Sequence, residues 1–482
     1  MRPGLYLHAL RVARWRQLRA RVARPFARRR FPGGDPPSDA GPVPAADELW
    51  RSPAFEPGPS LDPATRLGAF HAQYGEDVLG AARAGDTEQA RALVDRWIDD
   101  HPPRDDDAWH PYPLSTRVGN WVAALTLTPE LASPGLSASL WRQLRRLEAN
   151  VEDDVLGNHV IRNARALVLG GAAFDAPALV RHGIDLLRRE LPEQVLPDGG
   201  HYERSPVYHL VVLRDLLEVQ AVSPHSWIGD AIERMRAFAA ALARPDGEPA
   251  LFNDGGLDQA PRLELSDPPD GLVVFEDSGF AVVREGPLWL AFRCGPFAPD
   301  YLPAHAHADA LSFQVWWDGR PVLADAGTYT YEPGPERDWF RGTASHSTIK
   351  VDGRDQFRLW GPFRSGRLPE VKFRFAREGV LEASVRLRRR VRHVRRLEWS
   401  GDEILVRDLV DGLKKHRLES RLVWAPGADE RVELAVYGTG DRHEEPGWVS
   451  ERFGERVETR VTTVLTELEL PGELGFRIRC LE

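Results

Sequence analysis

Two histidines separated by a single alanine belong to the densest polar cluster in the chain. His305 and His307 alternate with alanines and are followed by Asp309, within residues 303–313. If this segment is extended, a period of two places the three polar side chains on one face. The small alanines then let another layer approach the opposite face. Imidazole and carboxylate groups are suited to acid–base chemistry and to metal binding, so we predict that this segment lines a functional site.

Two further residues could complete a metal site with His307. Asp325 ends the apolar run PVLADAG, and His346 precedes a later strand-like segment. Two imidazoles and one carboxylate form a ligand set that suits zinc. The residues alone favour a simpler interpretation, in which Asp325 caps a turn and His346 is a hydrogen-bonded strand residue.

Polar residues at two predicted helix starts are the other candidates. Asn158 opens a helical segment, as an N-cap or a first-turn residue. In the motif DGGHYERSPVYH, Ser205 has an N-cap position and Pro206 the first helical position, which puts Tyr208 in the first turn of the next helix. A first-turn tyrosine is easily aimed into a cleft. Tyr202, in the preceding loop, is the alternative, and aromatic packing explains either residue equally well.

These candidates lie in a chain of ordinary globular composition. It has 482 residues, of which 42% are apolar, and its length predicts two domains. No uncharged apolar run reaches the roughly 18 residues of a bilayer span, which argues against an integral membrane protein. The 63 basic and 72 acidic residues give a net charge of −9, which argues against nucleic-acid binding. Two cysteines, Cys294 and Cys480, are too few for a disulfide scaffold.

The apolar periodicity changes from helical to strand-like near residue 265. At least eight helical segments occupy residues 47–250, separated by short Gly, Pro and Asp breaks, and they predict antiparallel hairpins in a bundle, ring or solenoid. Seven segments between residues 279 and 427 read as strands, with hairpin turns at WWDGRP and SGDE. We therefore predict an all-α domain over 47–262 and an all-β sandwich over 263–482.

The N-terminal segment, 1–46, has a different character. Its first thirty residues contain ten arginines and no acidic residue, and apolar residues recur three to five positions apart. This pattern predicts a basic amphipathic helix over residues 5–30 that either docks on the protein or a partner, the simpler hypothesis, or lies on an anionic membrane surface. It lacks the apolar core of a secretory signal. A Pro- and Gly-rich linker follows over 31–46.

Five motifs in order resemble the heparinase II/III-like polysaccharide lyase family. They are GNHVIRNARALV, DGGHYERSPVYH, HAHADALSF, DAGTY and SHSTIKVDG. The resemblance implies an incomplete (α/α) toroid of helical hairpins followed by an antiparallel β-sandwich, with a cleft between them. It also implies cleavage of a uronate-containing polysaccharide by β-elimination. That substrate class suggests the cell envelope or periplasm, whereas the missing signal leaves the cytoplasm open.

The resemblance further implies catalytic roles for the candidates. Asn158, together with His159, matches the position that neutralises the uronate carboxylate. Tyr208 matches the general acid, and His305 matches the base or a residue that assists it. These residue types fit the chemistry, because a proton α to a carboxylate is removed only when a donor such as an amide stabilises the enediolate-like intermediate. Another group must then protonate the leaving oxygen.

Metal and substrate contacts are implied in the same way. His307, Asp325 and His346 match a structural zinc site, which would keep His305 oriented by holding its loop. The implied substrate-binding candidates are Arg117, Tyr202, Glu203 and Tyr329. A second catalytic tyrosine of some relatives corresponds here to Trp339 or Phe340, so Tyr329 or Tyr331 could take its place.

Two other functions remain open at this point. One is a glycoside hydrolase that uses Asp154 and Glu203 as paired carboxylates. The other is a noncatalytic glycan-binding or exopolysaccharide assembly factor on the same fold. A hydrolase would require both carboxylates, whereas a lyase would depend more strongly on Tyr208 and His305.

Overall fold

The computed structural model describes residues 3–27, 30–51, 61–387, 390–428 and 431–481. Within them, an N-terminal helical part precedes a C-terminal β part, in the predicted order. The helices are α1 (Pro3–Val12), α2 (Trp15–Ala27), α3 (Asp47–Arg51), α4 (Arg66–His71), α5 (Glu76–Arg83), α6 (Thr87–Asp100), α7 (Pro111–Leu127), α8 (Pro134–Glu148), α9 (Asn158–Ala173), α10 (Pro177–Gln194), α11 (Pro206–Val222), α12 (Ser226–Leu242) and α13 (Pro335–Arg341).

The helical part alternates between fully and partly buried helices. In α7, α9 and α11 nearly every residue is buried, whereas α6, α8, α10 and α12 bury only one face. The helices that are buried on all sides form the inner layer, and the amphipathic helices cover them from outside. The helices therefore form two layers of antiparallel hairpins, and the inner layer brings the starts of α9 and α11 to one end.

The β part is antiparallel throughout the described strand pairs. Its strands are β1 (Gly271–Phe275), β2 (Phe280–Glu285), β3 (Leu288–Arg293), β4 (Phe313–Trp317), β5 (Arg320–Leu323), β6 (Ile349–Val351), β7 (Val371–Arg377), β8 (Val380–Arg386), β9 (Arg392–Ser400), β10 (Glu403–Asp411), β11 (Lys415–Val423), β12 (Val432–Gly438), β13 (Asp441–Val449), β14 (Val457–Glu469) and β15 (Gly472–Cys480).

These strands form three sheets, and most of their buried apolar side chains share one cluster. Strands β1 to β5 lie in sequence order, a six-stranded sheet has the order β12-β15-β10-β9-β8-β7, and a four-stranded sheet has the order β13-β14-β11-β6. Both predicted hairpin turns occur, with Asp318, Gly319 and Gly401 in the left-handed region. The sequence interpretation identified neither β1 nor β12 to β15. In β13, for example, the first six residues are exposed and give no apolar alternation.

Two sequence expectations need correction at the N-terminus. The predicted single basic helix is two helices, α1 and α2, and the break is fixed where the Arg14 N–H donates to Gln17 Oε1 at 2.9 Å. The predicted linker is docked along the helical part, because Ala40 and Val43 donate their N–H groups to Ser137 Oγ and Thr126 Oγ1. Among the described residues, no helix combines the length and hydropathy needed to span a bilayer.

Candidate functional site

A buried carboxylate, Asp254, connects the helical part to the β part. Its two oxygens accept hydrogen bonds from His305 Nδ1 at 3.1 Å and from His307 Nε2 at 2.9 Å. The Arg337 guanidinium, itself fully buried, donates to both oxygens as well. Burial alone would raise the pKa of Asp254, but the Arg337 charge and these hydrogen bonds hold that pKa well below its usual value. Asp254 is therefore an anion that orients both imidazoles.

The tyrosine predicted in the first turn of α11 lies against one of these imidazoles. Ser205 caps α11 and its Oγ accepts the Tyr208 N–H at 3.1 Å, with Pro206 at the first helical position. The Tyr208 ring stacks on the His305 ring with centroids 4.2 Å apart. Its hydroxyl lies 2.8 Å from the Tyr331 hydroxyl. Burial and the nearby Tyr112 raise the pKa of Tyr208 well above its usual value, so this phenol keeps its proton at neutral pH.

A second carboxylate, Glu203, joins Asn158 to the same imidazole. The Asn158 N–H, at the start of α9, donates to Glu203 Oε1 at 2.9 Å, and Glu203 Oε2 lies 3.4 Å from His305 Nε2. Gly157 precedes Asn158 at φ +66°, and a Cβ there would come within 2.4 Å of Glu203 Oε1. Glycine is thus required for this close approach. Among the described residues, the side-chain amide of Asn158 makes no hydrogen bond.

His159 follows Asn158 and belongs to an ionic group on the same helix end. Its Nδ1 lies 3.0 Å from Glu152 Oε1, and its ring lies against Tyr112 with centroids 4.3 Å apart. Burial opposes the charged imidazole, but the Glu152 carboxylate outweighs it and raises the pKa of His159 above its usual value. With 27% of its side chain exposed, His159 is a partly accessible imidazole whose charged form is stabilised by Glu152.

The three residues expected to bind a metal are brought together. Ligand atoms of His307, Asp325 and His346 all lie within 4.8 Å of one another, and all three residues are buried. Since carboxylates only accept, His307 Nε2 donates to Asp254 and His346 Nδ1 donates to Asp325, at 3.0 Å. The other ring nitrogens, His307 Nδ1 and His346 Nε2, are buried without a hydrogen bond in the described chain. This donor set fits a divalent metal such as zinc.

Comparison with known protein families gives a match to both parts of the chain. The family description "Heparinase II/III N-terminus" matches residues 82–266, and "Heparinase II/III-like, C-terminal" matches residues 267–472. The chain belongs to the heparinase II/III-like family. The family resemblance deduced from the five motifs is thereby confirmed.

Individual relatives are more distant. A heparin-sulfate lyase of Bacteroides stercoris is 26% identical over an alignment of 318 residues, and the match covers 53% of this chain and 46% of the relative. FtsZ-localized protein C of Caulobacter vibrioides is 24% identical over an alignment of 296 residues, and the match covers 58% of this chain and 51% of the relative. The chain spans about half the length of the curated relatives it matches.

A solved structure shares the whole fold. The crystal structure of a heparinase III superposes with a TM-score of 0.71 at 15% identity, and the match covers 96% of this chain and 89% of the other. The likeness confirms the predicted fold class, an incomplete (α/α) toroid followed by an antiparallel β-sandwich.

The candidate residues divide into two groups within this family fold. Glu203 contacts both Asn158 and His305, and Tyr208 stacks on His305. Arg117 lies elsewhere: it is fully buried, and its guanidinium donates to Gln143 and to two backbone carbonyls beneath the Trp97 ring. We therefore leave Arg117 out of the proposed site.

The remaining tyrosine candidates are separated by the fold. Tyr202 is 3% exposed and belongs to the toroid core. Tyr329 stacks on Phe340 with centroids 5.8 Å apart, whereas Tyr331 reaches the Tyr208 hydroxyl. Of the two tyrosines considered for the second catalytic role, Tyr331 is therefore the better placed.

Two features of the histidine segment differ from expectation. Residues 303–311 form turns rather than a strand, so the alternation does not set the directions of the side chains. His305 and His307 still converge, because both bind Asp254, but Asp309 turns away and pairs with buried Arg293 at 2.9 Å. The two carboxylates considered for a glycoside hydrolase, Asp154 and Glu203, have different partners. Asp154 forms an ion pair with Arg24, whereas Glu203 contacts Asn158 and His305.

Sequence reasoning missed Asp254, Arg337 and Glu152. Asp254 lies in a turn-rich stretch, FNDGG, which looked like the boundary between two domains. The Asn-Asp pair before two glycines was the signal available in the sequence. Asn253 takes part as well, since its Oδ1 accepts the His307 N–H at 3.0 Å.

Proposed function

We propose that the protein is a polysaccharide lyase that cleaves an acidic, uronate-containing polysaccharide by β-elimination. The observation that carries the proposal is the convergence of an amide, a phenol and an imidazole. The Tyr208 ring stacks on His305, and Glu203 contacts both His305 and the Asn158 backbone. The names of the relatives support the same reaction class, since several are heparin-sulfate lyases.

The start of α9 would neutralise the substrate carboxylate. Asn158 has an amide without an internal partner among the described residues, and Glu152 stabilises the charged form of His159. Both groups lie at a helix N-terminus, where the helix dipole also favours an anion. Charge that moves from C5 onto the carboxylate as the proton leaves would be stabilised there.

Tyr208 and His305 would then move the protons. A base must take the C5 proton and an acid must protonate the leaving glycosidic oxygen. The Tyr208 phenol, whose pKa is raised, carries a proton that it can give to the leaving oxygen, and Tyr331 orients its hydroxyl. Asp254 accepts from His305 Nδ1, which leaves Nε2 as the nitrogen that can receive a proton.

The metal site would have a structural role, which is to hold the residues around His305 in place. A bound zinc ion would supply a fixed divalent charge that holds His307 and His346 together. His307 shares the Asp254 carboxylate with His305, so fixing one ring helps to fix the other. In this proposal His307, Asp325 and His346 position the catalytic histidine and do not touch the substrate.

Removing one metal ligand should release the metal. We expect about one tightly bound zinc per chain in the wild type and none in His307→Ala, as measured by inductively coupled plasma mass spectrometry. His393→Ala is the matched control, because His393 is an equally buried histidine that pairs with Asp408 in the sandwich. If the wild-type protein held no zinc after equilibration with zinc and gel filtration, the proposed zinc site would be wrong.

Removing the Asn158 amide should lower activity more than stability. Asn158→Ala should reduce kcat by about 10²–10³-fold, as expected for loss of one donor to a developing anion. Its unfolding midpoint should stay close to the wild-type value, since only the Asn158 backbone bonds Glu203. Asn150→Ala is the control, because its amide donates to Arg146 O away from the site. Equal activity of the two variants would contradict the assignment.

A polymer screen tests the proposed function. Purified protein is incubated with heparan sulfate, hyaluronan, alginate and bacterial exopolysaccharides, and both ultraviolet absorbance and reducing ends are followed. Elimination creates an unsaturated uronate that absorbs, whereas hydrolysis creates reducing ends alone. We expect both signals to rise together on one class of polymer. Reducing ends without absorbance would favour the hydrolase with Asp154 and Glu203, and glycan binding without turnover would favour a noncatalytic factor.

A further inference from the structure

The N-terminal helix α2 and the residue before it, Arg14, dock on the toroid through polar side chains. Arg14, Arg16 and Arg24 form ion pairs with Glu193, Glu190 and Asp154 of the toroid. Gln17, on the same side of α2, is 1% exposed. In α1, Tyr6 packs edge-on against Trp360 of the β part, with centroids 5.0 Å apart. An amphipathic helix usually buries its apolar side on its own protein, and here the opposite side is buried.

The outward side of these helices is apolar. Trp15, Val22 and Phe26 are 77%, 75% and 70% exposed. At about 100° per residue they lie within roughly 40° of one another on α2, opposite Gln17 and Arg24. Leu7 and Leu10 of α1 are also more than half exposed, at 55% and 56%. We call these five residues, Leu7, Leu10, Trp15, Val22 and Phe26, the N-terminal apolar face.

Uncompensated positive charge surrounds this face. Arg11, Arg19 and Arg21 are exposed and form no ion pair within the described parts of the chain. The first thirty residues contain no acidic residue, although the whole chain has a net charge of −9. The expected occupant is therefore apolar and bears negative charge at its edge. A second copy of the same face fits poorly, because it would bring the two sets of arginines together.

We propose that the N-terminal apolar face inserts into the interface of an anionic lipid bilayer. The tryptophan and phenylalanine would lie at the boundary between head groups and acyl chains, where aromatic side chains are favoured. Arg11, Arg19 and Arg21 would reach the lipid phosphates. The ion pairs of Arg14, Arg16 and Arg24 would keep the toroid attached to the membrane-bound helices. This surface is separate from the proposed catalytic residues and does not depend on the lyase reaction.

Vesicle co-sedimentation of the whole 482-residue chain tests the proposal. The wild type should sediment with vesicles of phosphatidylglycerol and phosphatidylcholine, and about tenfold less with phosphatidylcholine alone or at high salt. The triple variant Trp15→Ala/Val22→Ala/Phe26→Ala should bind the anionic vesicles at least about tenfold more weakly. Leu413→Ala/Val457→Ala is the matched control, because both residues are exposed apolar side chains of the β part, at 65% and 56%. It should bind like the wild type.

Each other outcome would overturn the proposal. The proposal would be overturned if the wild-type protein did not sediment with anionic vesicles. It would also be overturned if the triple variant bound these vesicles as tightly as the wild type. If light scattering showed that the wild type is a dimer and the triple variant a monomer, a second copy of the chain would be the occupant of the face instead. The thermal midpoints of the variants should match that of the wild type, since the replaced side chains are exposed. Polysaccharide turnover is measured separately, so failure here leaves the proposed lyase untouched.

Discussion

Tyr208→Phe should reduce turnover of the acidic polysaccharide by about 10²–10⁴-fold, the usual contribution of a positioned acid or base. The substitution removes only the hydroxyl, so the ring should still stack on His305. The loss should therefore appear in kcat, while the Kd for the polymer changes little. Kinetics under saturating substrate, with binding measured by calorimetry on the same variant, separate the two quantities.

A tyrosine outside the site provides the control for this prediction. Tyr437 lies on β12 in the six-stranded sheet, and Tyr437→Phe should retain wild-type kcat. Tyr331→Phe removes the group that bonds the Tyr208 hydroxyl, and it should cause a smaller loss than Tyr208→Phe. If Tyr208→Phe turned over substrate at the wild-type rate, the phenol would have no part in proton transfer.

Asp254→Asn should have the largest combined effect on stability and activity. The substitution leaves the Arg337 guanidinium as a buried charge without its anion, which costs about 3–5 kcal/mol of unfolding free energy. It also removes the charge that orients His305, so activity should fall even at temperatures where the variant is folded. Urea unfolding measures the first effect, and turnover at low temperature measures the second.

Asp408→Asn is the control that separates the effect of Asp254→Asn on activity from its effect on stability. Asp408 is a buried carboxylate that binds Arg395 and His393 within the sandwich, as Asp254 binds Arg337 and His305. Asp408→Asn should lose a similar amount of stability and keep its activity while folded. Equal loss of activity in both variants would mean that Asp254 acts only through folding.

The pH dependence of the stability difference follows from the pKa of Asp254. That pKa is lowered in the folded protein, so the carboxylate stabilises the fold fully above its unfolded pKa of about 3.9. The stabilisation is lost as the pH falls through the lower folded value. The difference in unfolding free energy between the wild type and Asp254→Asn should therefore be constant from neutral pH to about 4, and it should become smaller in stronger acid.

Local features of the site could be predicted from the sequence. The cap at Ser205 and the proline after it depend on neighbouring residues alone, and they put Tyr208 where it was expected. Asn158 likewise begins α9 as its position after Gly157 suggested. The change from helical to strand periodicity predicted the order of the two parts, because each period reflects one kind of secondary structure.

Contacts between distant segments could not be predicted. Asp254 binds two histidines more than fifty positions away, and no periodicity encodes that approach. Tyr329 and Tyr331 are two residues apart, and only the fold shows which of them meets Tyr208. The side chain of Arg117 could not be assigned to the cleft or the interior, because a helix buried on all sides has no polar stripe.

The most direct test of the central claim is the fate of solvent oxygen during cleavage. The polymer found active in the screen is degraded in water labelled with oxygen-18, and the products are examined by mass spectrometry. Elimination adds no water, so we predict products with an unsaturated uronate end and no label from the cleavage step. Saturated products that carry one labelled oxygen would show hydrolysis and contradict the proposed lyase.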